Sequence, residues 1–254
     1  MNLPRRVVSL VPSTTETLFA LDLADRVVGV TDFCTRPAEM PAHVRRIGGT
    51  KTPDLTAIRE LAPDLILANQ EENRREDIAA LRQWVAVDLS FPRSVPEAVA
   101  DLRRLGVRLG VADSAERLAG RIEAGADRVR RLARPFRFAY LIWRRPWMAA
   151  GRDTYIDAFL GLGGGRNIFP ARDGRYPQLA LKALAERHPD VVFLPDEPYP
   201  FEAKHIDEIA AALGPEWSAR CRLISGDNYC WHGVRLIEGL DDYARWLALA
   251  PMPV

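Results

Sequence analysis

The chain has 254 residues, 48% of them hydrophobic, and a formal net charge of +1. Those values are ordinary for soluble globular domains, and at ~150 residues per domain they allow one or two of them. They exclude a disordered or fibrous chain. With 35 basic against 34 acidic side chains, no bulk positive field exists to hold nucleic acid or an anionic membrane, so no nucleic-acid partner is expected.

The first 12 residues (MNLPRRVVSLVP) hold a short apolar stretch broken by Ser9 and stopped by Pro12. A secretory leader needs about 7–15 apolar residues and then a small-residue cleavage site. As written, the chain is therefore expected to be cytoplasmic, with a periplasmic location as the alternative if a signal has been removed. No run approaches the ~18 apolar residues of a transmembrane helix. Three cysteines, Cys34, Cys221 and Cys230, are too few for a disulfide framework. Cys221 and Cys230 can pair, but an odd count leaves at least one free thiol, which suits a reducing compartment.

In chain order, the β-branched run 6–10 predicts a strand, followed by a helix through Leu18, Phe19 and Leu23 that Ser13 or Thr14 can cap. Residues 27–31 predict a second strand, 55–61 a helix broken by Pro63-Asp64, and 65–68 a buried strand. Residues 76–84 then read as a helix, 85–89 as a strand and 96–109 as an amphipathic helix. Alternating strands and helices imply parallel β–α–β units. Over 113–134, Leu118, Ile122, Val129 and Leu132 form an apolar stripe on a highly charged helix. Asp113 and Glu116 have capping-box spacing, and Pro135 marks the end. The pattern then restarts with a strand over 138–142, a helix over 154–162, a turn at 163–165, a helix over 181–186 and a strand over 191–194.

The halves echo one another: Leu61-Ala-Pro-Asp-Leu-Ile-Leu67 against Arg187-His-Pro-Asp-Val-Val-Phe193. The expected fold is α/β, with two α/β lobes (1–111 and 135–254) joined by one long backbone helix (112–134) and a ligand cleft between them. A single stiff helix fixes the separation of the lobes and permits only small hinge motions.

Few motifs offer chemistry. The glycines at 161–165 lack the third glycine of a dinucleotide fingerprint and follow a helix, so they read as a helix end and turn. Gly48-Gly-Thr-Lys51 lacks phosphate-loop spacing. His43, His188, His205 and His232 show no metal-binding spacing, and no C-x-x-C or G-x-S-x-G occurs. No intrinsic metal or cofactor is expected, nor is an enzyme. Aromatic residues instead gather in turn-like segments: Trp143 to Trp147, Tyr176-Pro177, Pro195 to Phe201 and Asn228 to His232. Such rings suit a flat apolar ligand with polar edges.

Several segments together resemble a family. They are Arg6 to Glu16, Val28-Gly-Val-Thr31 with Pro37, Pro53-Asp-Leu55, Leu61 to Leu67, Gly163 to Phe169, Tyr176-Pro177, Pro189-Asp-Val-Val192 and Trp231-His-Gly-Val-Arg235. In this order they resemble the backbone-helix class of ABC-transporter substrate-binding proteins, which includes cobalamin-, haem- and siderophore-binding proteins and the helical backbone metal receptors. The resemblance implies a monomeric, non-catalytic protein that binds a corrinoid, haem or ferric chelate between its lobes for an ABC permease. The alternatives are a cytoplasmic relative that sequesters or traffics such a ligand without a permease, or an enzyme acting on it.

Carried over by position, first-lobe contacts would come from Pro12, Ser13, Thr14, Cys34, Thr35, Arg36, Asn69 and Gln70. Second-lobe contacts would come from Trp147, Met148, Tyr176, Asn228, Tyr229, Trp231 and His232, the last as a candidate axial ligand to a bound metal. The chain departs from the cobalamin binders in having Asn69 where they use a tryptophan, and Arg75 where they use a permease-docking acid.

Overall fold

The computed structural model describes residues 3–249. They form two compact units, one of residues 3–92, 96–122 and 232–235, the other of 93–95, 123–231 and 236–249.

The first unit is a five-stranded parallel sheet of order β3-β2-β1-β4-β5. Its strands are β1 (Val7–Ser9), β2 (Val27–Val30), β3 (Arg45–Arg46), β4 (Leu65–Asn69) and β5 (Val87–Ser90). The helices are α1 (Pro12–Ala20), α2 (Leu55–Glu60), α3 (Arg75–Leu81), α4 (Val95–Leu109) and α5 (Ala112–Arg131), the last running on into the second unit. Strands β1, β2 and β4 are buried along their whole length. That is why they read as continuous apolar runs rather than as alternating ones. Val8, Leu10, Ile47, Ile58, Ile66 and Leu81 form part of the core between sheet and helices.

Local signals explain several helix ends. Asp54 caps α2 by accepting from the Ala57 amide at 2.9 Å. Pro12 occupies the first turn of α1, where its missing N–H costs nothing. The expected caps Ser13 and Thr14 thus lie inside the helix, and Val11 stands at the cap without a side-chain bond. The capping box expected at Asp113 also does not form, because α5 begins one residue earlier; Glu116 pairs instead with Arg103 at 2.7 Å. Helix α5 stops at Arg131 rather than at 134: the Leu132 and Ala133 amides make three-residue turn bonds to the Val129 and Arg130 carbonyls just before Pro135.

The second unit is built on β6 (Phe136–Trp143), β7 (Met148–Ala149), β8 (Gly165–Asn167), β9 (Val191–Pro195) and β10 (Cys221–Ile224). The order is β10-β9-β6-β7, with β8 also on β6; all pairs are parallel except β6–β7. Around it lie α6 (Tyr155–Gly161), α7 (Lys182–Arg187), α8 (Ala203–Leu213), α9 (Trp217–Arg220), α10 (Gly226–Cys230) and α11 (Arg235–Leu249). The residues expected as a simple turn at 163–165 instead turn at Gly164, with φ +89°, and enter β8 at Gly165. A Cβ on Gly164 would run into the Arg134 backbone. Cys221 and Cys230 do not pair; all three cysteines are free thiols.

Candidate binding site

Because every strand of the first sheet runs the same way, the segments after β1, β2, β4 and β5 emerge at one edge. Ligands of open α/β sheets bind at that carboxyl edge. Pro12 to Thr14 follow β1, Cys34 to Arg36 follow β2, and Gln70 follows β4. The fold therefore brings together all the first-lobe residues drawn from sequence.

Their side chains divide into two kinds. Cys34 is buried, within 3.1 Å of Thr15 Oγ1 and 3.2 Å of Thr31 Oγ1, and Thr15 donates onward to Ser9 at 2.9 Å. Burial pushes the Cys34 thiol pKa up, outweighing those hydrogen bonds, so the sulfur stays a neutral thiol. It ties the β2 loop to the start of α1. Asn69 is likewise buried: its Oδ1 accepts from the Glu71 amide at 2.8 Å and its Nδ2 donates to Ser90 at 3.2 Å. Ser13 is buried in the first turn of α1. Pro12, Thr14, Thr35, Arg36 and Gln70 keep solvent exposure.

Three supporting residues escaped the sequence reading. Arg46 donates to the carbonyls of Thr31 at 2.6 Å and Cys34 at 2.8 Å. Asn73 donates to those of Leu10 at 3.2 Å and Thr50 at 3.0 Å, and accepts from the Asn69 amide at 2.8 Å. Phe33, 62% exposed, leaves an apolar ring on the β2 loop. Nothing in sequence spacing marks these long-range bonds. Phe33 sits beside a predicted strand end, where an apolar residue outside the core is a legible signal.

In the second unit the aromatic segments also follow carboxyl strand ends, but the rings have different environments. Trp147 is 9% exposed and stacks on Phe201, with centroids 6.0 Å apart. The Arg144 guanidinium stands 4.8 Å from the Trp147 ring and is held by Glu208. Tyr229 is 1% exposed among Phe159, Phe193 and Tyr243. Trp231 is also buried. Exposed rings are found instead at Trp143 (44%), at the very end of β6, and at Tyr176 (41%). Trp143 meets Tyr199 edge-on at 5.5 Å, and the Tyr199 hydroxyl lies 3.3 Å from His205 Nε2. Trp143 was singled out in its segment but not as a contact. Met148 and Asn228 are partly exposed, and Asn228 lies within the short helix α10, not in the loop expected there.

His232 groups with the first unit rather than the second. The next residues show why: Val234 N–H donates to Thr17 Oγ1 at 3.1 Å, and Arg235 Nε donates to Glu16 at 3.0 Å. The imidazole lines a cavity of about 30 Å³ with Ser13, Thr14, Thr17 and Asp101. That is room for a water or two. Burial lowers the His232 pKa to about 4, so the ring is neutral at pH 7. Among the described residues no cluster of three or more His, Cys, Asp or Glu stands ready to hold a metal ion.

Two α/β units, one with a parallel and one with a mainly parallel sheet, whose carboxyl-edge loops carry rings and hydrogen-bonding groups, covalently continuous through a long helix, define a class of solute-binding proteins. The family described as periplasmic binding protein matches residues 7–219, and the chain belongs to it. It is thus a binding protein rather than an enzyme. Similar proteins include a vitamin B12-binding protein of Yersinia pestis, 25% identical over 98% of this chain and 88% of that protein. Another, from Vibrio cholerae, is 24% identical over 74% of this chain and 69% of that protein. Among solved structures, the periplasmic vitamin B12-binding protein BtuF of Vibrio cholerae superposes with a TM-score of 0.82 at 21% identity, covering 97% of this chain and 98% of that one. The periplasmic heme-binding protein RhuT of Roseiflexus sp. RS-1 gives 0.81 at 25% identity, covering 96% and 97%.

Membership in this family overturns the cytoplasmic expectation, since its members are periplasmic binding proteins. The physical reason is simple. A leader is a segment apart from the binding fold, so the point where the written chain begins carries no information about compartment.

Proposed function

We propose that this protein captures a corrinoid or haem and hands it to an ABC permease. The observation that carries this reading is the exposed Trp143 ring, edge-on to the half-buried Tyr199, at the carboxyl edge of a sheet. Rigid rings offer a large apolar face at low entropy cost, as a macrocycle requires. Relatives named for vitamin B12 and heme binding, aligned across nearly the whole chain, support it.

The proposed contacts are Pro12, Thr14, Phe33, Thr35, Arg36 and Gln70 in the first unit, and Trp143, Met148, Tyr176, Tyr199 and Asn228 in the second. Ser13, Cys34, Asn69, Trp147, Tyr229 and Trp231 hold those loops in shape from beneath. The test is titration of the purified protein with cyanocobalamin and, separately, haemin, read by visible absorbance and tryptophan fluorescence. One of them should bind saturably, with Trp143→Ala weakening it roughly tenfold, a loss of about 1.4 kcal/mol. Arg36→Ala separates the two ligands: it should weaken haem, whose carboxylates want a guanidinium, far more than a corrinoid. Failure of both ligands to bind overturns the proposal.

A further inference from the structure

The second unit contains an open groove of about 560 Å³ at the opposite end of its sheet from those loops. It lies by Arg137 near the start of β6 and Asp190 just before β9. Five of its eleven lining residues are arginines: Arg137, Arg152, Arg166, Arg172 and Arg187. Basic residues number 35 among all 254, so this is a marked local excess. Asp190 is the one acid in the lining, and its carboxylate already accepts from the Arg137 amide at 2.6 Å.

Two of the guanidinium groups are held in place by the protein itself. Arg187 donates to Asp173 at 2.6 Å and to the Ile168 carbonyl at 3.2 Å, while Arg137 donates to the Arg187 carbonyl at 2.6 Å. Arg137 and Arg166 face each other directly in the β6–β8 register. The two solvent-exposed side chains thus sit side by side on neighbouring strands, where both can reach one anion. Phe136 and Ile168 add an apolar wall. The volume falls in the range of small-molecule sites.

We propose that this groove binds a small polyanion carrying at least two phosphate or carboxylate groups, at a place separate from the transported ligand. Several arginine forks match two or more planar or tetrahedral oxyanions by paired hydrogen bonds, and the five arginines outnumber the acids beside them, Asp190 and the Asp173 that pairs with Arg187. The same crowding of like charge raises the local anion concentration.

The experiment is calorimetric titration of the full chain with inorganic diphosphate, citrate and monophosphate, each repeated at raised salt. Diphosphate or citrate should bind saturably and more tightly than monophosphate, and more weakly as salt rises. Saturation by diphosphate points to a phosphate source, and by citrate to a polycarboxylate. Arg166→Glu, and independently Arg152→Glu, should weaken binding roughly tenfold or more. Arg166→Lys should weaken it less, and Arg82→Glu, an exposed arginine of the first unit, should leave it unchanged. Circular dichroism checks that each variant is folded. The proposal is overturned if neither polyanion saturates, if folded Arg166→Glu binds as the wild type does, or if Arg82→Glu weakens binding equally.

Discussion

Arg235 buries its guanidinium against Glu16, with side-chain exposures of 5% and 17%. A buried pair contributes little net stability while intact, because desolvation offsets attraction, but removing one partner leaves the other charge less well compensated. Glu16→Ala should therefore lower unfolding free energy by about 1–3 kcal/mol in a urea titration, and the Glu16→Ala/Arg235→Met double variant should recover part of that loss. Recovery of nothing would show that the pair is not the source of the effect.

His232 makes a second prediction at this scale, in pH. Its folded pKa lies near 4, below the ordinary value of 6.5. The unfolded state therefore binds the proton more readily between those values. The contribution is present above pH 6.5 and is lost as pH falls toward 4, by about 2–3 kcal/mol between pH 7 and 4.5. His232→Gln should flatten that part of the stability-versus-pH curve. A curve of unchanged slope would mean that the ring is solvated.

Among the elements, the last helix lies against α10 only because residue 239 is glycine: a Cβ there would overlap the Asn228 carbonyl. Gly239→Ala should cost about 1–3 kcal/mol by forcing the two helices apart, and with Asn228 proposed as a contact it should also weaken ligand binding. The two tryptophans that bracket the β6–β7 turn should behave oppositely. Trp147→Ala removes a ring stacked in the core and should cost about 3–5 kcal/mol in thermal or urea unfolding. Trp143→Ala, at 44% exposure, should leave stability within roughly 1 kcal/mol of wild type. Equal losses would place both rings in the core.

Parallel strands and most helices were legible at this scale, since buried runs such as Leu65–Asn69 and amphipathic stretches such as Val95–Leu109 carry their own period. Short edge strands were not. β3 and β7 are two residues each, and β8 hides in a glycine-rich stretch. Pairing partners far away in sequence create them, not local pattern.

For the whole molecule, a ligand that binds only the folded protein stabilises it by mass action, by about 2.7 kcal/mol at one hundred times Kd. A thermal scan against cyanocobalamin or haemin should show the midpoint rising with ligand concentration. A midpoint indifferent to a ligand that visibly binds would mean that the unfolded chain binds it equally.

The apolar periods, the proline and glycine punctuation and the two Pro-Asp strand entries determined from sequence alone that this is an α/β protein with a long mid-chain helix. The candidate contacts came from the family resemblance, and most of them fall after strands, where a strand's direction fixes the edge at which its loop emerges. Tertiary structure decided which of those residues show a side chain to solvent. Trp143 and Trp147 are four positions apart in one segment, yet one ends a strand in solvent and the other stacks on Phe201. The same holds for Cys34 and Thr35, adjacent but buried and exposed. Burial depends on what packs from distant parts of the chain, and no local pattern of residues encodes that.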